Sequence, residues 1–281
     1  MAVRKLDSGG HGANQPEFGA CQPNALQRLL IALGRRSLLN RGLFRRHMAK
    51  IIMAAGGNRP LDVRFRDCCY RLFGGRNLIE TGILLSPNYN AADIDFLIED
   101  AASGGAFVDI GSHMGLYTLP MARCTAPGGL AIAVDANPMM TERLAFNATA
   151  SGLDNVRVFA CGLGDREGRA ALQIRKDDLA IVSIVDDPQG EIPVRTLASI
   201  VAEAGVDRIA GLKIDVEGYE DKVLAPFLET APLALLPRRI VIETMADGTD
   251  YPSCAAQFVR HGYRLKGRTR NNSLYIRDCE A

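Results

Sequence analysis

The sequence predicts an α/β protein whose mostly parallel sheet carries helices on both faces. Three observations predict it. Beyond residue 60, short apolar runs with strand character alternate with helical patterns. One run, FVDIGSHMGLYTL at 107–119, ends in an acid followed by two glycines four residues apart, and the next ends in a second acid, Asp135. With 281 residues and 47% apolar content, the chain can bury a sizeable core.

Residues 1–22 are rich in Gly, Pro, Asn and Gln and are expected to form a disordered tail. Residues 25–55 read as one or two helices. Leu29, Leu30 and Leu33 share a face, and Ser37 is placed to cap a second segment carrying Leu43, Phe44, Met48, Ile51 and Ile52 before Gly56–Gly57 closes it. No Asp or Glu occurs from Phe18 to Leu61, while Arg28, Arg35, Arg36, Arg41, Arg45, Arg46, Lys50 and Arg59 all do. Two readings stay open for this basic amphipathic segment: a peripheral contact with a membrane or another anionic partner, or a helical extension packed on the main domain with its arginines solvated.

The strands are expected at Ala106–Ile110, Leu130–Asp135, Val156–Ala160, Gly211–Asp215 and Arg239–Glu243, with helices near 115–124, 138–151, 196–204 and 219–229 between them. Tyr263–Lys266 and Ser273–Arg277, joined by a polar loop, read as an antiparallel hairpin at the sheet's edge. Within the irregular stretch 168–194, the alternation of Ala170, Leu172 and Ile174 suggests an inserted strand. The chain thus divides into a tail (1–22), a basic helical extension (23–60) and the α/β domain (61–281).

Several classes fall away. A net charge of +1 gives no general attraction to nucleic acid. Seven scattered cysteines without a C-x-x-C pair read as reduced thiols in a cytoplasmic protein, and four histidines without an H-x-x-x-H argue against zinc. The N-terminus lacks a signal peptide's apolar region, and no stretch has the length and purity of a transmembrane helix.

In an open α/β sheet, ligands bind at the carboxyl ends of the strands. There Gly111 permits a tight turn and close backbone approach, Gly115 lets the next helix begin near its strand, and Asp109 supplies a carboxylate. A dinucleotide site would want G-x-G-x-x-G and a phosphate-friendly helix start. This turn lacks the middle glycine and offers an acid, which suits a cationic ammonium instead. Asp135 follows Gly111 by twenty-four residues, the spacing that sets a carboxylate on a ribose diol. An adenosine bearing an amino acid, S-adenosylmethionine, satisfies both acids. Two other classes remain in view: a nicotinamide-dependent oxidoreductase, and a non-catalytic adaptor of the same fold. A plain strand–turn–helix with an incidental acid is the bland alternative.

Four blocks, FVDIGSHMGLYTL, VDANP at 134–138, LGDREG at 163–168 and LKIDVEGYEDKVL at 212–224, resemble the FkbM family of S-adenosylmethionine-dependent methyltransferases over roughly residues 60–281. The resemblance implies the class I methyltransferase fold, Rossmann-like, with a seven-stranded sheet and one antiparallel strand. It also implies O-methylation of a hydroxyl on a small-molecule or glycan acceptor, such as a sugar, glycolipid or polyketide-type product. It assigns Asp109, Gly111 and Gly115 to the methionine end, with Tyr117 and Thr118 nearby, Asp135 to the ribose, and Cys161 and Gly162 to the adenine. His113, Ala136 and Asn137 are also expected to bind the cofactor. The sequence departs from the family pattern at Ser112–His113, where Ala-Asn is usual, at Asp135–Ala136 for Glu-Pro, and at Leu197–Ser199 for Leu-Asp-Asp.

Methyl transfer needs an acceptor held in line and a route for its proton. Lys213, Asp215 and Glu217 alternate at the end of the fourth strand, and Glu243 closes the fifth. Asp215 or Glu217 is the expected base, with Glu243 beside them. Alternatively, the three acids hold a Mg²⁺-like ion, since hard cations take oxygen ligands. A purely structural reading has Glu217 and Glu220 capping the next helix, with Asp215 paired to Lys213.

Overall fold

The computed structural model describes residues 15–36, 42–74, 77–99, 101, 104–125, 128–174 and 182–278. The chain begins with two helices, α1 (Ala25–Arg36) and α2 (Gly42–Ala55), then a hairpin of β1 (Leu61–Phe65) and β2 (Cys68–Leu72). Two short helices follow, α3 (Leu78–Leu85) and α4 (Ala91–Ile98). The alternating part comprises β3 (Ala106–Ile110), α5 (Thr118–Thr125), β4 (Ala131–Asp135), α6 (Pro138–Ala150) and β5 (Val156–Ala160). Next come β6 (Gly162–Leu163), β7 (Gly168–Ile174), β8 (Val182–Asp186) and β9 (Ile192–Arg195), then α7 (Leu197–Ala204) and β10 (Ile209–Ile214). The chain finishes with α8 (Glu220–Thr230), β11 (Arg239–Glu243), α9 (Pro252–Arg260), β12 (Tyr263–Arg268) and β13 (Asn272–Arg277). The expected Ser37 cap lies outside the described residues.

The main sheet has seven strands in the order β12-β13-β11-β10-β3-β4-β5, and β13 alone runs against its neighbours. Strand β3 is buried along its whole length, as a central parallel strand must be. Its side chains alternate between two cores. Ala106, Val108 and Ile110 join Leu212, Ile214 and Ile240 on the face covered by α7, α8 and α9. Phe107 faces the other way, towards Ile52, Tyr70, Leu119 and Leu144 beneath α2, α5 and α6. The inserted segment, read as one strand, contributes three, which pair with β6 into a separate four-stranded sheet.

Strands β3, β4 and β5 progress towards one edge, and the chain then crosses back to lay β10 on the other side of β3. The order therefore reverses between β3 and β10, and a crevice opens at their carboxyl ends.

The tail expectation needs correction. Residues 1–14 lie outside the described residues, but 16–21 are tied to the hairpin. Asp62 Oδ2 accepts from the amides of Gly19 (2.7 Å) and Cys21 (3.1 Å), while Arg71 donates to the carbonyls of Pro16 (2.6 Å) and Glu17 (2.9 Å). Composition alone did not show that a buried ion pair would offer this segment partners. Among the described residues no helix is long and apolar enough to cross a membrane.

Candidate active site

The end of β3 is built around Gly111. Its φ is +73°, and a Cβ there would stand 2.0 Å from the carbonyl oxygen of Asp215. The glycine therefore lets the β3 and β10 ends touch; the room it was expected to clear for a ligand is filled by backbone. Lys213 locks this junction, donating to the carbonyl of Gly111 (2.9 Å) and standing 3.7 Å from carboxylate oxygens of both Asp109 and Asp215. Burial disfavours its charge, but Asp215, Asp109, Asp135 and Glu243 outweigh that and raise its pKa, so the ammonium stays charged.

Asp109 has no exposed surface, and its Oδ2 accepts from the Thr118 hydroxyl at 2.5 Å. Burial pushes its pKa up against the opposing pull of Lys213 and Thr118. Neither Asp109 nor Thr118 lines the crevice, and neither do Gly115 and Asn137. The expected direct contact between Asp109 and a ligand ammonium is therefore not available: the carboxylate anchors Lys213 and α5. Gly115 does place its helix close, since a Cβ would approach Leu119 at 3.0 Å and Leu144 at 3.2 Å. Asn137 caps α6 through its side chain.

The crevice has two lobes. One, of about 370 Å³, is walled by Val134, Asp135, Ala136, Cys161, Gly162 and Leu163. The other, of about 610 Å³, is walled by Arg45, Tyr89, Asn90, Asp93, Tyr117 and Arg270, among others. Gly111, His113, Asp215, Glu243 and Asn271 line both, so they stand where the lobes meet.

In the smaller lobe, Asp135 accepts from the amide of Asn137 through Oδ1 (2.8 Å) and from that of His113 through Oδ2 (2.7 Å). Each oxygen keeps a lone pair for a further donor. Burial raises its pKa, opposed by those two amides. His113 adopts φ +49°, and its Nε2 lies 3.3 Å from Asn77 Nδ2. Burial, then Arg143 and Lys213, push its pKa down to about 3, so the ring is neutral and a poor base. In the larger lobe the Tyr117 hydroxyl donates to Asp93 (3.1 Å) and accepts from Asn90 (2.8 Å), and Asn272 also donates to Asp93 (2.7 Å).

Between the lobes the acids converge: Asp215, Glu217 and Glu243 all wall the smaller lobe. Strand β10 stops at Ile214 and the chain turns, leaving Glu217 exposed with φ +53°, while Glu220 joins from the start of α8. Carboxylate oxygens of Asp215, Glu220 and Glu243 lie within 4.8 Å of one another. Both Glu220 oxygens already accept backbone amides, from Val216 (2.8 Å) and Gly218 (2.9 Å). Burial, then the charges of Asp215, Glu217 and Glu220, push Glu243 up to about 8. A carboxyl raised in the folded state contributes stability below its ordinary pKa, and that contribution drains away as pH rises towards about 8. Glu243→Gln is therefore expected to raise the melting temperature above pH 8 and to change it little near pH 4.5; equal effects at both would show that Glu243 ionises normally.

The polar loop between β12 and β13 had no site role in the sequence, yet Thr269, Arg270 and Asn271, with Asn272 at the start of β13, line the larger lobe. The available signal was topological. A hairpin at the edge of this sheet must put its loop at the carboxyl end of the neighbouring strand, and indeed Asn272 pairs with Glu243. Asn90, Asp93 and Arg45 gave no such signal. Ala198, where the family pattern has an acid, is exposed and lines neither lobe.

A seven-stranded sheet in this order, with one reversed strand and a crevice at the β3–β10 switch, is the class I methyltransferase fold. The sequence matches the methyltransferase FkbM domain over residues 109–265, more than half of its length, and the protein belongs to that family. No curated protein matches the sequence. Similar solved structures include M. jannaschii TYW2 in complex with AdoMet, 14% identical over 78% of this chain and 84% of that one, with a TM-score of 0.41. An O-methyltransferase from Bacillus cereus in complex with SAH is 10% identical over 90% and 96% of the two chains, with a TM-score of 0.41. A SAM-dependent methyltransferase from Agrobacterium tumefaciens is 12% identical over 77% and 68%, with a TM-score of 0.44.

Proposed function

We propose that the protein transfers a methyl group from S-adenosylmethionine to a hydroxyl of a sugar, glycolipid or polyketide-type product, with Asp215 and Glu243 receiving the hydroxyl proton. The observation that carries this reading is the Asp215–Glu243 pair where the two lobes meet, with Glu243 raised to about 8 by burial and neighbouring acids. A carboxylate with a pKa near the working pH is suited to general-base duty. When bound, S-adenosylmethionine supplies a methyl group made electrophilic by its sulfonium charge. The residues fit it in one lobe: Asp135 offers its free lone pairs to a diol, and the small residues at 161–162 leave width for a ring. Asp109 enters only through Lys213. In the other lobe Tyr117, Asn90, Asn271 and Arg270 offer hydrogen-bonding groups to a polyhydroxylated acceptor.

The proton comes to rest on Glu243, which burial and its acidic neighbours make the group that holds it. Lys213, held on backbone carbonyls, keeps the pair's remaining charge compensated. Asp215, Glu220 and Glu243 also form a donor set that Mg²⁺ accepts. Activity in a chelator separates the two readings.

Calorimetry with S-adenosylmethionine, its demethylated product and NAD tests the assignment: the first two are expected to bind in the low micromolar range or tighter, and NAD not to. NAD binding alone would sink it. Asp135→Ala is expected to weaken S-adenosylmethionine by about 1.5–3 kcal/mol, the scale of hydrogen bonds to a charged group. It also strands the His113 and Asn137 amides, so a lowered melting temperature should accompany it. An unchanged dissociation constant would mean the diol is held elsewhere.

A further inference from the structure

Among the described residues ten large apolar side chains are exposed, and five of them, Leu26, Leu29, Leu33, Phe44 and Ile51, belong to α1 and α2. Each is more than half exposed. The two helices form an antiparallel pair. Gln27 donates to the carbonyl of Ile52 at 2.9 Å, while a Cβ on Gly34 would meet Met48 at 3.3 Å. Their inner faces are satisfied: Gln27 and Gly34 on α1, and Ala49, Ile52 and Met53 on α2, are buried against the domain. The exposed apolar residues form a second stripe. On α1, Leu26 and Leu33 lie one turn either side of Leu30, bordering the Gln27–Gly34 contact line. On α2, Phe44 and Ile51 lie one turn either side of Met48, which touches α1. The two stripes therefore flank one seam and make a single outward apolar patch.

The surroundings of this patch carry one sign of charge. Arg28 and Arg36 on α1 and Arg46 and Lys50 on α2 are exposed, and no acid occurs between Phe18 and Leu61. Beside α1 a groove of about 490 Å³ is lined by Arg28, Arg35, Arg36 and Arg64, its one acid, Asp62, being held by Arg71. A seam of leucine, phenylalanine and isoleucine flanked by cations matches a lipid surface with anionic headgroups: acyl chains take the apolar ridge, and phosphates meet the guanidinium rim. The domain-packed reading of these helices accounts for their inner faces and leaves this outer one unexplained.

We infer that the α1–α2 pair docks the protein on an anionic lipid surface, the Leu26–Leu29–Leu33 and Phe44–Ile51 stripes entering the headgroup boundary and the exposed arginines holding phosphates. The same helix α2 carries Arg45 into the wall of the larger lobe, so docking brings that lobe next to the lipid surface. The inference stands independently of which acceptor is methylated, because its readout is lipid binding.

The full-length protein is expected to co-sediment with phosphatidylcholine vesicles containing about a third phosphatidylglycerol, and at least tenfold less with phosphatidylcholine alone. Raised salt should weaken the binding as the headgroup attraction is screened. Leu29→Ser with Phe44→Ser, and separately Arg36→Ser with Arg46→Ser, should each cut binding by about tenfold or more while melting temperature and S-adenosylmethionine affinity hold. Absence of binding at low salt would overturn the inference, as would binding indifferent to both double variants. So would a dimer in light scattering that the Leu29→Ser/Phe44→Ser protein no longer forms, since a second copy would then own the patch.

Discussion

Asp215→Asn is expected to lower kcat about 10²–10⁴-fold, the range for losing general-base assistance, while S-adenosylmethionine affinity changes little. The substitution keeps size and leaves the backbone contacts of the β10 end in place, including the Asp215 amide bonded to Ile110 at 3.1 Å. It removes the negative charge 3.7 Å from Lys213 and one of the charges that raise Glu243. Glu243 should therefore ionise at lower pH in the variant. The residual activity should show its alkaline rise shifted to more acidic pH, a change that loss of packing alone would not produce. Glu243→Gln should be similarly slow, and the double variant should cost little more than either single one, because the two residues act as a unit. Chelator decides the remaining question. If added Mg²⁺ is needed to restore chelated wild type, the acids hold an ion; if chelator does nothing, they receive the proton. Full activity of Asp215→Asn in chelator would leave positioning as the whole of the catalysis.

The architecture was legible because its signals are local. Four of the five parallel strands are short runs buried on both faces, and edge strand β5 buries Val156, Val158 and Phe159; such runs differ in composition from the helices between them. Gly111 and Asp135 were visible because a turn needing positive φ and a strand-end acid leave marks at fixed spacing. What escaped was what depends on where chains meet. The partner of Gly111 is a carbonyl 104 residues later, on another strand. Glu220 joins the acid cluster because the chain leaves β10 through a turn that no alternation pattern encodes. Asn90 and Asp93 reach the larger lobe from a short helix packed beside α5, and nothing in their own neighbourhood says so. The outward apolar seam on α1 and α2 was half visible: the periodicity was plain, but which stripe the domain would bury was not.

Asp62→Ala is expected to destabilise the protein by about 3–5 kcal/mol, the cost of leaving one member of a buried ion pair without its partner. Arg71 meets Asp62 through two parallel bonds, Nε to Oδ1 at 2.7 Å and Nη2 to Oδ2 at 2.9 Å, and both side chains are almost wholly buried. Asp62 is also the acceptor for Gly19 and Cys21, so the substitution releases residues 16–21 as well. Removing residues 1–22 should for the same reason lower the melting temperature by several degrees; a dispensable tail would have left it unmoved. Burial pushes the Asp62 pKa up, but Arg71 and the two amides outweigh it and hold it below the ordinary value. Its contribution is then present above the unfolded carboxyl pKa, near 3.9, and lost as pH falls through the lower folded value. The gap between wild type and variant should be full at pH 6 and close on acidification below about pH 4. Replacing both partners, as Asp62→Leu with Arg71→Met, should cost less than Asp62→Ala, because no charge is stranded. If the double replacement proves worse than the single one, the carbonyls of Pro16 and Glu17 depend on Arg71 more than Arg71 depends on Asp62. The hairpin would then be held by its grip on the N-terminal segment and not by the ion pair itself.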